Sequence, residues 1–208
     1  MDLLDAIYHR RAIRQYKDLA VHPAMIEDLL QAAIQAPSAL NQQPWAFAVI
    51  RGRARLERYS KRAKAHLLAI LPEMLDLHQH ADALTSAEYN IFHHTETLVV
   101  IYAEPARHHP IDDCLLAAQN MMLAAHGMGL GTCPIGFARP WFNLIEIKDE
   151  LGIPEDFTAV MPLVIGWPAA IPIAPPRHEP NIVCWIDDHR GPASFRPQPV
   201  AQSKFRPT

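Results

Sequence analysis

His9-Arg10-Arg11-Ala12-Ile13-Arg14-Gln15-Tyr16 places three guanidinium groups within five residues. Repulsion among them costs energy unless an anion stands between them, and arginine's planar fork fits phosphate oxygens two at a time. Arg10 and Arg14 are four residues apart, so a helical turn would set them on one side. Leu3, Leu4 and Ile7 predict a short amphipathic helix running into this stretch. By itself the cluster also reads as a solvated basic face. The residues that follow decide between the two.

A second helix is expected from Pro23, with Met25, Ile26, Leu29, Leu30, Ala33 and Ile34 at three- and four-residue spacing. It should end at Ala36, because Pro37 disfavours helix at the residue before it. Pro37-Ser38-Ala39-Leu40-Asn41-Gln42-Gln43-Pro44-Trp45 then combines two backbone-restricting prolines with three carboxamides, which both donate and accept. Such a loop suits a flat heterocycle with polar edges, or serves as a plain helix-to-strand connection. Ala46 to Ile50 reads as a buried strand.

Arg-Arg-x-Ile-Arg-x-Tyr, a helix, and then Ala-Pro-Ser-x-x-Asn-x-Gln-Pro-Trp resembles the FMN-dependent nitroreductase family, in order and spacing together. The likeness runs to about Asp187. It implies an α+β fold, with a mixed central sheet flanked by helices, and an intertwined homodimer holding one FMN per subunit at the interface. It also implies a phosphate clamp of Arg10 and Arg177 assisted by Arg11, with Ala12 in the same segment. Arg14 would face the N1/O2 edge of the ring. Pro37, Ser38, Ala39 and Asn41 would line the isoalloxazine and ribityl chain, and Pro134, Ile135 and Gly136 would lie along its other side with a backbone amide near N5. The implied activity is hydride uptake from NADH or NADPH and reduction of nitro, quinone or related electron-poor small molecules by alternating half-reactions. Reductive dehalogenation, flavin fragmentation and a redox-inactive flavin-binding protein are the alternatives on the same fold. No dinucleotide fingerprint accompanies the basic cluster, which favours FMN over FAD.

Three departures from the family pattern stand out. Ala12 replaces a frequent serine, and Gly136 lies where some members carry glutamate. His93-His94-Thr95-Glu96-Thr97 replaces an apolar lead into the next strand, which bears on the substrate more than on the cofactor.

Further along, Arg51 to Leu75 reads as a charged helix broken or kinked by Pro72. The stretch from Leu77 to Phe92 is mixed; in the family it covers the active site. Leu98 to Tyr102 is an apolar, β-branched run that reads as a central strand. Cys114 to Ala125 predicts a helix apolar nearly all round, which demands burial on every side and points to a second subunit. Leu130 to Gly136 resembles the family segment along the flavin, where glycine permits close approach of the main chain. Trp141 to Leu151 is expected to be one helix, Thr158 to Ile165 a strand interrupted by Pro162, and Ile182 to Ile186 a short edge strand.

The chain of 208 residues, half of them hydrophobic, fits a single domain over 1–190 with a proline-rich tail over 191–208. A formal charge of −3 argues against nucleic-acid binding. No apolar run is long enough to span a membrane. The acidic start is unlike a signal peptide and the three cysteines read as reduced thiols, which together suggest the cytoplasm. Twelve histidines, clustered at His78-Gln79-His80, His93-His94 and His108-His109, do not by themselves supply converging ligands, so no metal is expected.

Overall fold

The strand Thr97–Ala103 is buried along its whole length. Its even-numbered residues Leu98, Val100 and Tyr102 pack into one core and its odd-numbered residues Val99, Ile101 and Ala103 into another. Successive side chains of a strand point to opposite faces, so a continuous apolar run means a sheet covered on both sides. The computed structural model describes residues 2–70, 84–105 and 107–186. Within them, four strands form a sheet in the order β1-β2-β4-β3: β1 Trp45–Arg51, β2 Thr97–Ala103, β3 Gly131–Pro134 and β4 Thr158–Gly166.

All three strand pairs are antiparallel. The four-stranded sheet is therefore antiparallel where a mixed one was expected, and an isolated parallel bridge joins Ala12 to Thr132 at its edge. Helices α2 (Pro23–Ala33) and α4 (Pro110–Gly127) cover one face; α3 (Arg53–Ile70), α5 (Arg139–Phe142) and α6 (Ile145–Leu151) cover the other. The register places Trp45, Ala103 and Thr158 at one end of the sheet and Arg51, Thr97 and Gly166 at the other.

The basic stretch is not helical beyond its first residues. Helix α1 (Leu3–His9) is capped by the Arg10 amide on Ala6 O, and the chain then runs extended against the sheet edge. Ile13 N donates to Thr132 O (2.9 Å), Lys17 N to Trp167 O (2.8 Å), and Ala169 N to Gln15 O (2.9 Å). Arg10 and Arg14 therefore do not share a helical turn. Extended backbone rises about 3.3 Å per residue, so the two guanidinium-bearing positions stand up to roughly 13 Å apart. Two glycines let the strap lie close. A Cβ on Gly131 would lie 2.6 Å from the Ile13 side chain, and one on Gly166 2.7 Å from Tyr16. The Tyr16 hydroxyl donates to Ile13 O (2.7 Å), and burial drives its pKa far upward.

Other elements differ from expectation in local ways. Helix α2 stops at Ala33, and the Gln35 and Ala36 amides close a turn on Ala32 O and Ala33 O. The expected helix over Trp141 to Leu151 splits into α5 and α6 at Asn143. That side chain donates to Arg139 O (3.0 Å) and Ala159 O (3.1 Å) and accepts from Ala159 N (2.8 Å), so it clamps β4 instead of continuing the helix. Ile182 to Ile186 forms no strand. It belongs to a second unit, Pro175–Thr208, separate from Met1–Ala174. The Pro72 kink, His78-Gln79-His80 and the tail over 191–208 lie outside the described residues.

Helix α4 buries Cys114, Ala117, Ala118, Met121 and Ala125, yet Leu115 and Leu116 remain 40% and 46% exposed. One chain does not bury this helix all round. On α1, Leu4, Ile7 and Tyr8 are exposed as well.

The strap makes Gly131 and Gly136 inequivalent. Gly131→Ala should destabilise the fold by roughly 1–3 kcal/mol, because the neighbour is the branched root of Ile13. Gly136→Ala meets no atom within 4 Å and should shift stability by less than about 0.5 kcal/mol. Urea unfolding midpoints of the two variants check this.

Candidate functional site

The strap hands its arginines to two cavities that are neighbours along β3. Arg10 and Arg11 line the first, about 210 Å³, with His9, His126 and Thr132. Arg14 lines the second, about 310 Å³, with Cys133, Pro134, Ile135 and Gly136. The first gathers cationic and imidazole groups. Burial, followed by Arg10, His9 and Arg11, lowers the His126 pKa against the pull of Asp5. Convergent positive charge of this kind suits an anion such as a phosphate. Arg11 is partly committed, since Nη1 donates to Tyr8 O (2.7 Å) and Arg10 O (2.8 Å). Ala12 faces a third opening, shared with Arg14 and Gln15.

At the second cavity the backbone supplies the chemistry. Pro134 has no N–H, and that of Ile135 donates to Pro162 O (2.8 Å). Of these three residues only Gly136 can offer an amide to a ligand. Open space surrounds the position its side chain would take, so a flat ring can approach the main chain there.

Pro37, Ser38, Ala39 and Asn41 lie elsewhere. The Ala39 amide donates to the Asp113 carboxylate (3.1 and 3.3 Å), a side chain only 5% exposed in the first turn of α4. Ser38 Oγ accepts from Gln43 N (3.0 Å), and Gln42 Oε1 from His108 N (2.8 Å). Leu40, Asn41 and Gln43 all take positive φ. Arg10's cavity adjoins His126, at the far end of the same helix. Thirteen residues at 1.5 Å each separate Asp113 from His126 by about 20 Å. The sheet register agrees: Trp45, just after the loop, and Gly166, beside the strap, lie at opposite ends. Within one chain the loop does not meet the arginines. Arg177 belongs to the second unit, in a stretch without regular secondary structure.

Tyr89, His93 and Phe137 also line the Arg14 cavity, and sequence reading did not select them. The one available signal was the departure at His93-His94. Burial first, then the charges of Arg14 and His94, lower the His93 pKa to about 4. Burial raises that of the Cys133 thiol, which makes a poor nucleophile of it. A larger cavity, about 710 Å³, lies beside β1 and α3, lined by Arg55, Arg58 and Arg62. None of the residues singled out in the sequence reaches it. Among the described residues no three His, Cys, Asp or Glu side chains converge as a metal site. No helix among them is long and apolar enough to cross a membrane.

A doubly covered α+β sheet, edged by a basic strap and a glycine-bearing strand end, is the architecture of the nitroreductase-like proteins. The nitroreductase family model matches residues 7–167, which include the basic stretch, the whole sheet and every residue lining the Arg14 cavity, and the chain belongs to that family. It is 32% identical over 173 residues to a provisionally named NADH dehydrogenase/NAD(P)H nitroreductase of Methanothermobacter thermautotrophicus, covering 83% of this chain and 80% of that protein. An iodotyrosine deiodinase of Thermotoga neapolitana is 26% identical over 190 residues, covering 85% and 94%. In fold, the chain is similar to a nitroreductase with bound FMN from Bacteroides fragilis. The TM-score is 0.75 at 24% identity, over 90% of this chain and all of that one.

The depressed His93 pKa predicts an acid dependence of stability. Between the ordinary value of 6.5 and about 4, the unfolded chain binds the proton and the folded one does not. This group's contribution is therefore fully present above pH 6.5 and is lost as pH falls through about 4. His93→Gln should flatten the slope of unfolding free energy over that window, measured by urea titration at several pH values.

Proposed function

We propose that the chain is an FMN-dependent oxidoreductase that takes hydride from NADH or NADPH and passes electrons to nitro, quinone or other electron-poor small molecules in alternating half-reactions. The observation that carries this reading is the strap's delivery of Arg10 and Arg14 to adjoining cavities on either side of Thr132. A cation cluster for a phosphate thus lies next to an open glycine backbone for a flat ring. Bound FMN supplies the hydride chemistry, and the protein's part is to hold and tune it. Arg10, assisted by Arg11, would hold the phosphate. Arg14 would face the N1/O2 edge, where charge gathers on reduction, and the Gly136 amide would be the donor near N5.

The site is completed in trans. Pro37, Ser38, Ala39 and Asn41 stand about 20 Å along α4 from the arginines, and Leu115, Leu116, Leu4, Ile7 and Tyr8 form an exposed apolar surface on α4 and α1. An antiparallel pairing of two α4 helices about a two-fold axis brings the start of one against the end of the other. Each loop then reaches its partner's strap. Light scattering should give twice the chain mass. All three cysteines are unpaired, in keeping with a cytoplasmic enzyme.

Dehalogenation of a zwitterionic amino acid fits less well. Among the described residues no carboxylate lines the Arg14 cavity to receive an ammonium group. The basic test is flavin uptake by the purified protein and bleaching of its yellow colour by NADH or NADPH. Failure of both would remove the reading.

Arg10 and Arg14 should then separate by function. A phosphate carries the same charge in either redox state, so Arg10→Ala should weaken FMN binding and leave the potential of retained flavin nearly unchanged. Arg14 faces charge that appears only on reduction, and a charge-assisted contact is worth roughly 1.5–3 kcal/mol. At about 30 mV per 1.4 kcal/mol for two electrons, Arg14→Ala should lower the potential by tens of millivolts and slow hydride uptake. Dye equilibration of both variants measures the difference; equal shifts would refute the assignment.

A further inference from the structure

The wall of the Arg14 cavity formed by residues 86–95 is held in a conformation that its side chains do not favour. His93 and His94 both have positive φ, 53° and 56°. A residue with a Cβ enters that region only when its surroundings fix it there. Lys64 Nζ donates to Ser86 O (2.8 Å) and Tyr89 O (2.6 Å), and Ser60 Oγ accepts from Ile91 N (3.0 Å). Ile91 and Phe92 are fully buried, Asn90 Oδ1 accepts from Phe92 N (2.8 Å), and Thr95 Oγ1 donates to Phe92 O (3.0 Å).

What this frame presents is the His93 ring, half-buried in the cavity and edge-on to Tyr89 with centroids 6.5 Å apart. Among the described residues, nothing hydrogen-bonds to the imidazole nitrogens. A strained segment fixed from α3 and from within, carrying a polar ring with no structural bond there, is arranged for a ligand.

We propose that His93 is a specificity-determining residue, whose imidazole hydrogen-bonds an oxygen of the compound docked beside Arg14, so that the site selects planar nitro and carbonyl compounds. The inference rests on the flavin reading above and names the substrate contact within it. Burial, Arg14 and His94 keep the ring uncharged near neutrality. A neutral imidazole offers one N–H and one bare nitrogen. Tyr89 and Cys133, also on the cavity wall, are likewise shifted towards their neutral forms, chiefly by burial. The contact should therefore hold unchanged from pH 6 to 8.

The test uses full-length protein loaded with FMN and titrated with benzamide, a planar carbonyl compound, while the visible flavin band is followed. Losing one buried hydrogen bond weakens binding up to about tenfold. His93→Phe should show a loss of that size, His93→Gln should stay within about threefold of the original, and FMN affinity should be the same in all three. If His93→Phe does not fold at a positive φ, His93→Gly adopts it freely and must show the same loss. The idea is overturned if the original protein does not bind benzamide, if His93→Phe binds it equally well, or if Phe and Gln lose equally. It is also overturned if His93→Phe loses FMN itself, since the ring then holds the cofactor. Absence of FMN uptake by the original protein would instead remove the flavin reading and this inference together.

Discussion

The site depends on the backbone pairing of residues 12–17 with the ends of β3 and β4. Edge strands leave a row of unpaired amides and carbonyls, and a covering segment satisfies them. Here the covering segment also carries the arginines. Ile13 N on Thr132 O and Lys17 N on Trp167 O fix its register. That register sends Arg10 to one cavity and Arg14 to the next. Gly131 and Gly166 are required for this closeness, because Ile13 and Tyr16 occupy the space that larger residues would need. One set of contacts thus stabilises the sheet edge and sorts the charges.

Helix α4 sets the scale of the rest. Its inner face is of small residues and methionines, which lets it lie close over β2. Its two ends then determine what a single chain can assemble: Asp113 anchors the Pro37–Asn41 loop at the start, and His126 borders the phosphate-like cavity at the finish. The same length keeps the loop and the arginines apart within one chain and suits the proposed two-fold arrangement. The apolar residues left exposed on α4 and α1 are the surface such an arrangement would bury.

The 86–95 wall shows how a buried charge can be used structurally. Lys64 is nearly buried and donates to two carbonyls. A buried ammonium is tolerable only with such partners. In return it ties the Ser86 and Tyr89 carbonyls of that wall to α3.

Much of this was legible in the residues. The central strand shows in the unbroken apolar run Leu98–Tyr102, α2 in its apolar spacing and Pro23 start, and α4 in an apolar surface nearly all round, because these patterns act through neighbouring residues. The family likeness followed from the order of the arginine and Ala-Pro-Ser motifs. Other features were not legible. Asn143 breaking a helix depends on Ala159, sixteen residues on, and the extended course of Arg10 to Arg14 depends on Thr132 and Trp167. The place of His93 depends on Lys64 and Ser60 of α3. Hydrophobic pattern and backbone restriction are properties of the sequence itself, so it determined the layers, the elements and the residue types available for chemistry. Which of those residues face one another depends on hydrogen bonds and close contacts between distant segments, and only the tertiary structure decided that.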